Sequence, residues 1–167
     1  GIQRHWEEPV DLDALNEVPP GGRWKVLLKW GLPLLILAIF AAGFFRAGAS
    51  AGADMIRWWI LANGVLGGLG AAAALAHPLT ILSAIAAAPL TSLNPMMAAG
   101  WVAGLVEAFI GRPKVRDFEG LTEDLSTVRG FWRNKISRIL LVVVFTNIGS
   151  SLGTFVAIPL MLQAFAG

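Results

Sequence analysis

Two apolar runs of fifteen residues, 79–93 and 96–110, meet at Asn94-Pro95, and that junction limits what the chain can be. Fifteen helical residues rise about 22 Å, short of the roughly 30 Å hydrocarbon core of a bilayer. The first run carries Thr80, Ser83, Thr91 and Ser92, just ahead of Asn94. Pro78 and Pro95 stand where helices can begin, because the first helical position has no intrahelical use for its N–H. Asn94 is suited to cap the helix that Pro95 would open. The expectation is two short helices whose polar junction lies below a membrane surface, as two crossings or as one re-entrant hairpin. At that depth, non-helical backbone is tolerated only when it is packed in protein or lines a cavity.

The flanking stretches bring the membrane into the argument. Residues 26–45 and 139–165 reach the roughly 20 apolar residues that a crossing needs, and residues 56–76 form a further span. The chain is 56% hydrophobic and 14% charged, whereas soluble domains carry about 25% charged residues. The expected fold class is therefore an all-α integral membrane protein. It is a bundle of about five transmembrane helices, two of them short, with an amphipathic helix at the surface. Trp24, Lys25, Lys29 and Trp30 anchor the first span and Arg57, Trp58 and Trp59 the second. Pro33 is placed to kink the first span, and the glycine- and alanine-rich residues 46–54 are expected as a loop. Residues 1–22 are polar and end in Pro19-Pro20-Gly21-Gly22. They read as a linker from a soluble domain preceding Gly1, with the transmembrane domain over 23–167.

Between 112 and 138 the apolar positions Val115, Phe118, Leu121, Leu125, Val128, Trp132 and Ile136 recur every three or four residues. That is one helical stripe, expected as an amphipathic helix over about 114–136 with interruptions at Gly120 and Gly130. Its other face mixes acids and bases, which argues against a nucleic-acid partner and for membrane lipids. Seven Lys or Arg fall in 112–138, four in 1–29 and two in 46–57. The positive-inside rule then places the N-terminus in the cytoplasm and the C-terminus outside.

Three GxxxG pairs, Gly64/Gly68, Gly100/Gly104 and Gly149/Gly153, allow helix backbones to approach closely, within a protomer or between protomers of a homo-oligomer. Glu107 is the one acid inside the best-defined apolar runs, and an intramembrane carboxylate is a functional hypothesis by default. Arg112, Lys114 and Arg116 are its expected partners if it is structural. His77, directly before Pro78, fits a helix cap or a place at the membrane interface. A ligand-binding site would draw on His77, Thr91, Ser92, Asn94 and Glu107. No catalytic residue is named, and HExxH is absent. Two histidines and no cysteine leave no zinc-type ligand set, and no cofactor is expected in this chain.

The stretches HPLTILSAIAAAPLTSLNP (77–95), GWVAGLVEA (100–108), RPKVRDFE (112–119), FWRNKISRILLVVV (131–144) and TNIGSSLGT (146–154) resemble the C-terminal membrane domain of the TraB/PrgY (pheromone shutdown) family. The resemblance covers nearly everything from Asn63 onward. It implies a separate soluble domain, related to TIKI-type proteins, with GxxH and GxxN motifs proposed to form a metal-dependent hydrolase site. Neither motif occurs here, so any hydrolysis would reside outside this chain. Two functions stand open at this point. One is a membrane anchor, with an oligomerising role, for that soluble domain. The other is a transporter-like or ligand-binding domain with a polar site at 91–95.

Overall fold

The computed structural model describes residues 23–94 and 97–166; the linker 1–22, Pro95, Met96 and Gly167 lie outside the described residues. The described residues are helical, with no strand among them. The chain divides into two units, Gly1–Gly31 and Leu32–Gly167, and everything that positions the site lies in the second.

Helix α1, Arg23–Ala42, runs through Pro33 into a π-turn, Gly43–Ala47, and α2 follows as Gly48–Ala73. The loop expected over 46–54 is not there. The chain reverses at the single residue Gly48, whose φ of 90° suits glycine. In an unbroken helix, positions 43 and 55 would stand about 18 Å apart. Here a Cβ on Gly43 would collide with Met55 Sδ, and one on Gly52 would lie 2.6 Å from the Phe44 ring. The small residues read as loop formers instead let two helical limbs fold together. Ile36, Met55, Trp59, Ala157 and Met161 then form one buried cluster, with Phe40 edge-on to Trp59 at 6.0 Å.

Leu75, in the left-handed region at φ 56°, turns the chain into α3, Pro78–Thr91. Next come α4, Ala99–Gly111, three short helices (α5, Val115–Glu119; α6, Leu121–Asp124; α7, Val128–Arg133) and α8, Lys135–Ala166. The second short helix thus opens at Ala99, with Ala98 in the cap position. Two helical stretches, Trp30–Ala73 and Lys135–Ala164, are long and apolar enough to cross a membrane. At about 1.5 Å per residue α3 and α4 rise only about 20 Å each.

Glycine sets the packing. On α2, Gly64 and Gly68 lie against Ile85 of α3, a Cβ on Gly64 coming 3.1 Å from the Ile85 carbonyl. On α4, Gly100 and Gly104 receive Val143 of α8; Gly149 of α8 meets the Leu66 carbonyl and Gly153 the Asn63 backbone of α2. Positions 63, 66 and 70 of α2 meet 153, 149 and 145 of α8, so the two run antiparallel. All three GxxxG pairs are filled from within the chain.

Side chains sort by size as well as polarity. Ala71, Ala84, Ala103, Asn63, Thr80, Glu107 and Thr146 are buried, whereas Leu69, Leu82, Leu105 and Phe109 are exposed. On α8, Val142, Thr146, Ser150, Thr154 and Ala157 face in; Val144, Ile148, Leu152 and Phe155 face out.

The stripe expected as one helix over 114–136 is three short ones. The first ends at Gly120, while Thr127 accepts from the Gly130 N–H to cap the third. Gly130 does not interrupt: it sits within α7 so that the backbone of Asp124 can close on it. Trp132 ties this segment to α2 by donating from Nε1 to the Ala73 carbonyl at 3.0 Å.

Candidate functional site

Polar side chains gather at both ends of α3, about 21 Å apart along the helix. At its start, His77 stands at the N-cap and its Nδ1 accepts from the Leu79 N–H at 3.2 Å. The imidazole thus serves the backbone, and it is the His77 backbone N–H that donates to Glu107 Oε2, at 2.9 Å. Thr80 Oγ1 donates to the same oxygen at 2.7 Å. Arg138 Nε lies 3.1 Å from Oε1 as an ion pair, at an angle outside hydrogen-bond geometry. Glu107 is 1% exposed. Its charge partner is Arg138, on α8, rather than Arg112, Lys114 or Arg116. Both neighbouring chain reversals, Leu75 and Arg112, are non-glycine residues with positive φ, so this end also carries backbone strain.

At the other end of α3 the groups are neutral. Ser92 Oγ lies 2.9 Å from Asn63 Oδ1, 2.7 Å from the Ala88 carbonyl and 2.8 Å from Ser150 Oγ. Thr154 Oγ1 donates toward Asn63 Oδ1 at 3.0 Å and the Ser150 carbonyl at 3.2 Å. Asn63 in turn donates from Nδ2 to the Trp59 carbonyl. These residues come from α2, from the end of α3 and from α8, and Asn63 is fully buried.

The start of α4 is held across the fold. Asn147 Oδ1, on α8, accepts the Gly100 N–H at 2.7 Å, so α4 receives its cap from another helix. Asn94 was expected in that role, but the helix opens at Ala99 with Ala98 in the cap position, and the Asn94 carbonyl accepts the Met97 N–H in a turn. Beside Asn147 is a partly open cleft of about 380 Å³ whose polar lining is Thr91, Ser92, Asn147, Ser150, Ser151 and Thr154. Leu32, Met97, Phe155 and Ile158 complete its wall.

Of the five residues marked as a possible site, His77 and Glu107 come together at one end of α3. Thr91 and Ser92 line the cleft at the other, and Asn94 is not among its lining residues. Asn63, Thr80, Arg138, Asn147, Ser150 and Thr154 complete the two clusters. A signal for the last three existed in TNIGSSLGT, where hydroxyl and amide residues recur at helical spacing on the face that carries Gly149 and Gly153. No three of His, Cys, Asp and Glu gather to hold a metal among the described residues.

Outside these clusters, Asn134 caps α8 by accepting the Ile136 and Ser137 N–H groups and donates to Asp124 Oδ2 at 2.9 Å. That bond, with Arg133 at 3.2 Å, holds the Asp124 carboxyl below its ordinary pKa.

Compared with known proteins, the sequence matches the family described as TraB family protein, C-terminal domain, over residues 24–166. A protein described as uncharacterised from Methanocaldococcus jannaschii is 32% identical over 137 residues, which is 78% of this chain and 34% of that protein. The chain thus spans about a third of the length of the curated relative it matches. No solved structure matches.

Proposed function

The chain belongs to the TraB family, as its C-terminal domain, and from that premise we propose that it is the membrane-embedded part of a longer protein, anchoring a soluble domain to the bilayer. The observation that carries this reading is the sorting of side chains on α8 and α4. Polar and small residues (Thr146, Ser150, Gly149, Ala103) face inward, while Ile148, Leu152, Phe155, Leu105 and Phe109 are more than half exposed. A water-soluble fold rarely leaves so large an apolar surface open. Lipid reverses the preference, because helix association there is driven by close packing of small residues and by interhelical hydrogen bonds.

In this proposal Trp30–Ala73 and Lys135–Ala164 supply the crossings. The basic residues of 112–138 mark the cytoplasmic side. The glycine seams are already occupied, which leaves the outward faces for pairing between copies. Expression of the chain followed by alkaline carbonate washing of the membranes tests the reading. Retention in the pellet is expected; release as a monodisperse protein without detergent would contradict it.

A further inference from the structure

We propose that the cleft at the α3–α4 break binds the head of an uncharged, hydrogen-donating amphiphile, an alcohol or amide on an apolar chain, taken from the bilayer. Its chemistry follows from the lining. Among the described residues no Lys, Arg, Asp, Glu or His borders the cleft, so a charged head would be desolvated with nothing to compensate it. Its volume of about 380 Å³ lies within the range of small-molecule sites, about 300–1,000 Å³.

The hydrogen-bond inventory then selects a donor. Ser92, Ser150 and Thr154 have one hydroxyl proton each, yet they make five short contacts to Asn63 Oδ1, the Ala88 and Ser150 carbonyls and one another. With the Ser92 proton directed to Asn63 Oδ1 or the Ala88 carbonyl, Ser150 is assigned as the donor in its contact with Ser92. On that assignment all three protons are engaged inside the cluster, while the Ser150 and Thr154 oxygens keep lone pairs for a donor in the cleft. Asn147 adds the converse. Its Oδ1 holds Gly100, and its Nδ2 donates to none of the described residues, leaving it for an acceptor. A hydroxyl or amide both gives and accepts, and meets both needs; an ester or ether only accepts. The wall supplies the apolar counterpart: Phe155 is 73% exposed and Met97 49%, so the acyl part leads out toward the outward face.

The route of entry rests on the membrane reading above; the occupant's chemistry rests on the cleft alone. The test irradiates the purified chain in detergent micelles with a diazirine-bearing monoacylglycerol. The methyl ester and the free fatty acid of the same chain serve as comparators. Monoacylglycerol adducts are expected on residues 91–92, 97–99 and 147–158, about tenfold above either comparator, the factor that one hydrogen bond supplies. Ser151 is exposed on the lining, so Ser151→Phe fills the cleft with the thermal midpoint retained, and should abolish these adducts. Ser150→Ala, which removes one acceptor, should reduce them severalfold and serves if the Phe variant folds poorly. Equal labelling by all three probes, adducts spread over the outward faces, or labelling unchanged by both variants would overturn the proposal. So would protection by sodium chloride but not by unlabelled monoacylglycerol, since a cation would then use the surplus acceptors. Because labelling is read in micelles, release of the chain by carbonate would sink the membrane reading and leave this result standing or falling by itself.

Discussion

At the His77 end of α3 a buried carboxylate pairs with a partly exposed guanidinium, whereas at the Ser92 end three hydroxyls and an amide share their protons beside an open cleft. The first end has little freedom. A buried charge left short of partners costs several kcal/mol, so Glu107 is surrounded by the His77 N–H, Thr80 and Arg138. The second end is neutral, and a hydroxyl oxygen with an unused lone pair costs far less than an unpaired charge. Charge makes one end a brace. Neutrality lets the other keep spare hydrogen-bonding capacity, which is what a binding site needs.

The largest effect should come from breaking the brace. Glu107→Ala leaves Arg138, the Thr80 hydroxyl and the His77 N–H without their acceptor and should lower unfolding stability by about 2–3 kcal/mol. Ser92→Ala at the neutral end should cost only about 1 kcal/mol. Denaturant unfolding of both variants in one detergent measures the gap, and equal losses would erase the distinction between the two ends. Gly149→Ala comes next. Its Cβ meets the Leu66 carbonyl, which is backbone and has no rotamer to yield, so about 1–3 kcal/mol should be lost as α2 and α8 separate.

A smaller contrast separates two asparagines. Asn147→Leu uncaps α4 from across the fold and should cost about 1–2 kcal/mol. Asn94→Leu should cost less, because α4 opens at Ala99 and takes its cap from Asn147. The order of the two thermal midpoints decides the matter. The sequence points the other way, since Asn94 directly precedes a proline and Asn147 lies in mid-helix. A cap donated by another helix leaves no trace in local spacing, so it cannot be read from residues 94–100.

The same limit governs what else was legible. The apolar runs, the three GxxxG pairs and His77 before Pro78 are local patterns, and the helices, their close approaches and the His77 cap follow from them. The pairing of Glu107 with Arg138 joins positions 31 apart, and the nearer Arg112, Lys114 and Arg116 gave a misleading choice. Residues 46–54 read as a loop because glycine and alanine are weak signals alone. Only contact with Phe44 and Met55 makes them a helical turn. The amphipathic stripe of 114–136 kept its period while the backbone broke at Gly120 and before Thr127.

The smallest effect lies outside both ends, at Asp124. Its carboxyl is held below the ordinary value first by Asn134 and then by Arg133. A group whose folded pKa is depressed stabilises the fold above its unfolded pKa, and that contribution fades as pH falls through the folded one. Thermal midpoints should therefore decline modestly below about pH 4. In Asn134→Ala, which lacks the main cause, the decline should be shallower. An identical slope would remove Asp124 from the explanation.

Cysteine scanning along α8 tests most directly the sorting on which the account rests, because the chain has no cysteine of its own. Single cysteines at Val144, Ile148 and Leu152, all outward, are compared in sealed vesicles with one at Arg129, in the surface segment. The reagent is a membrane-impermeant maleimide applied to both sides. Arg129→Cys should react readily while the three α8 positions stay unlabelled until the vesicles are dissolved and the chain unfolded. Labelling of Ile148→Cys and Leu152→Cys in intact vesicles as fast as Arg129→Cys would place that apolar face in water and contradict that sorting.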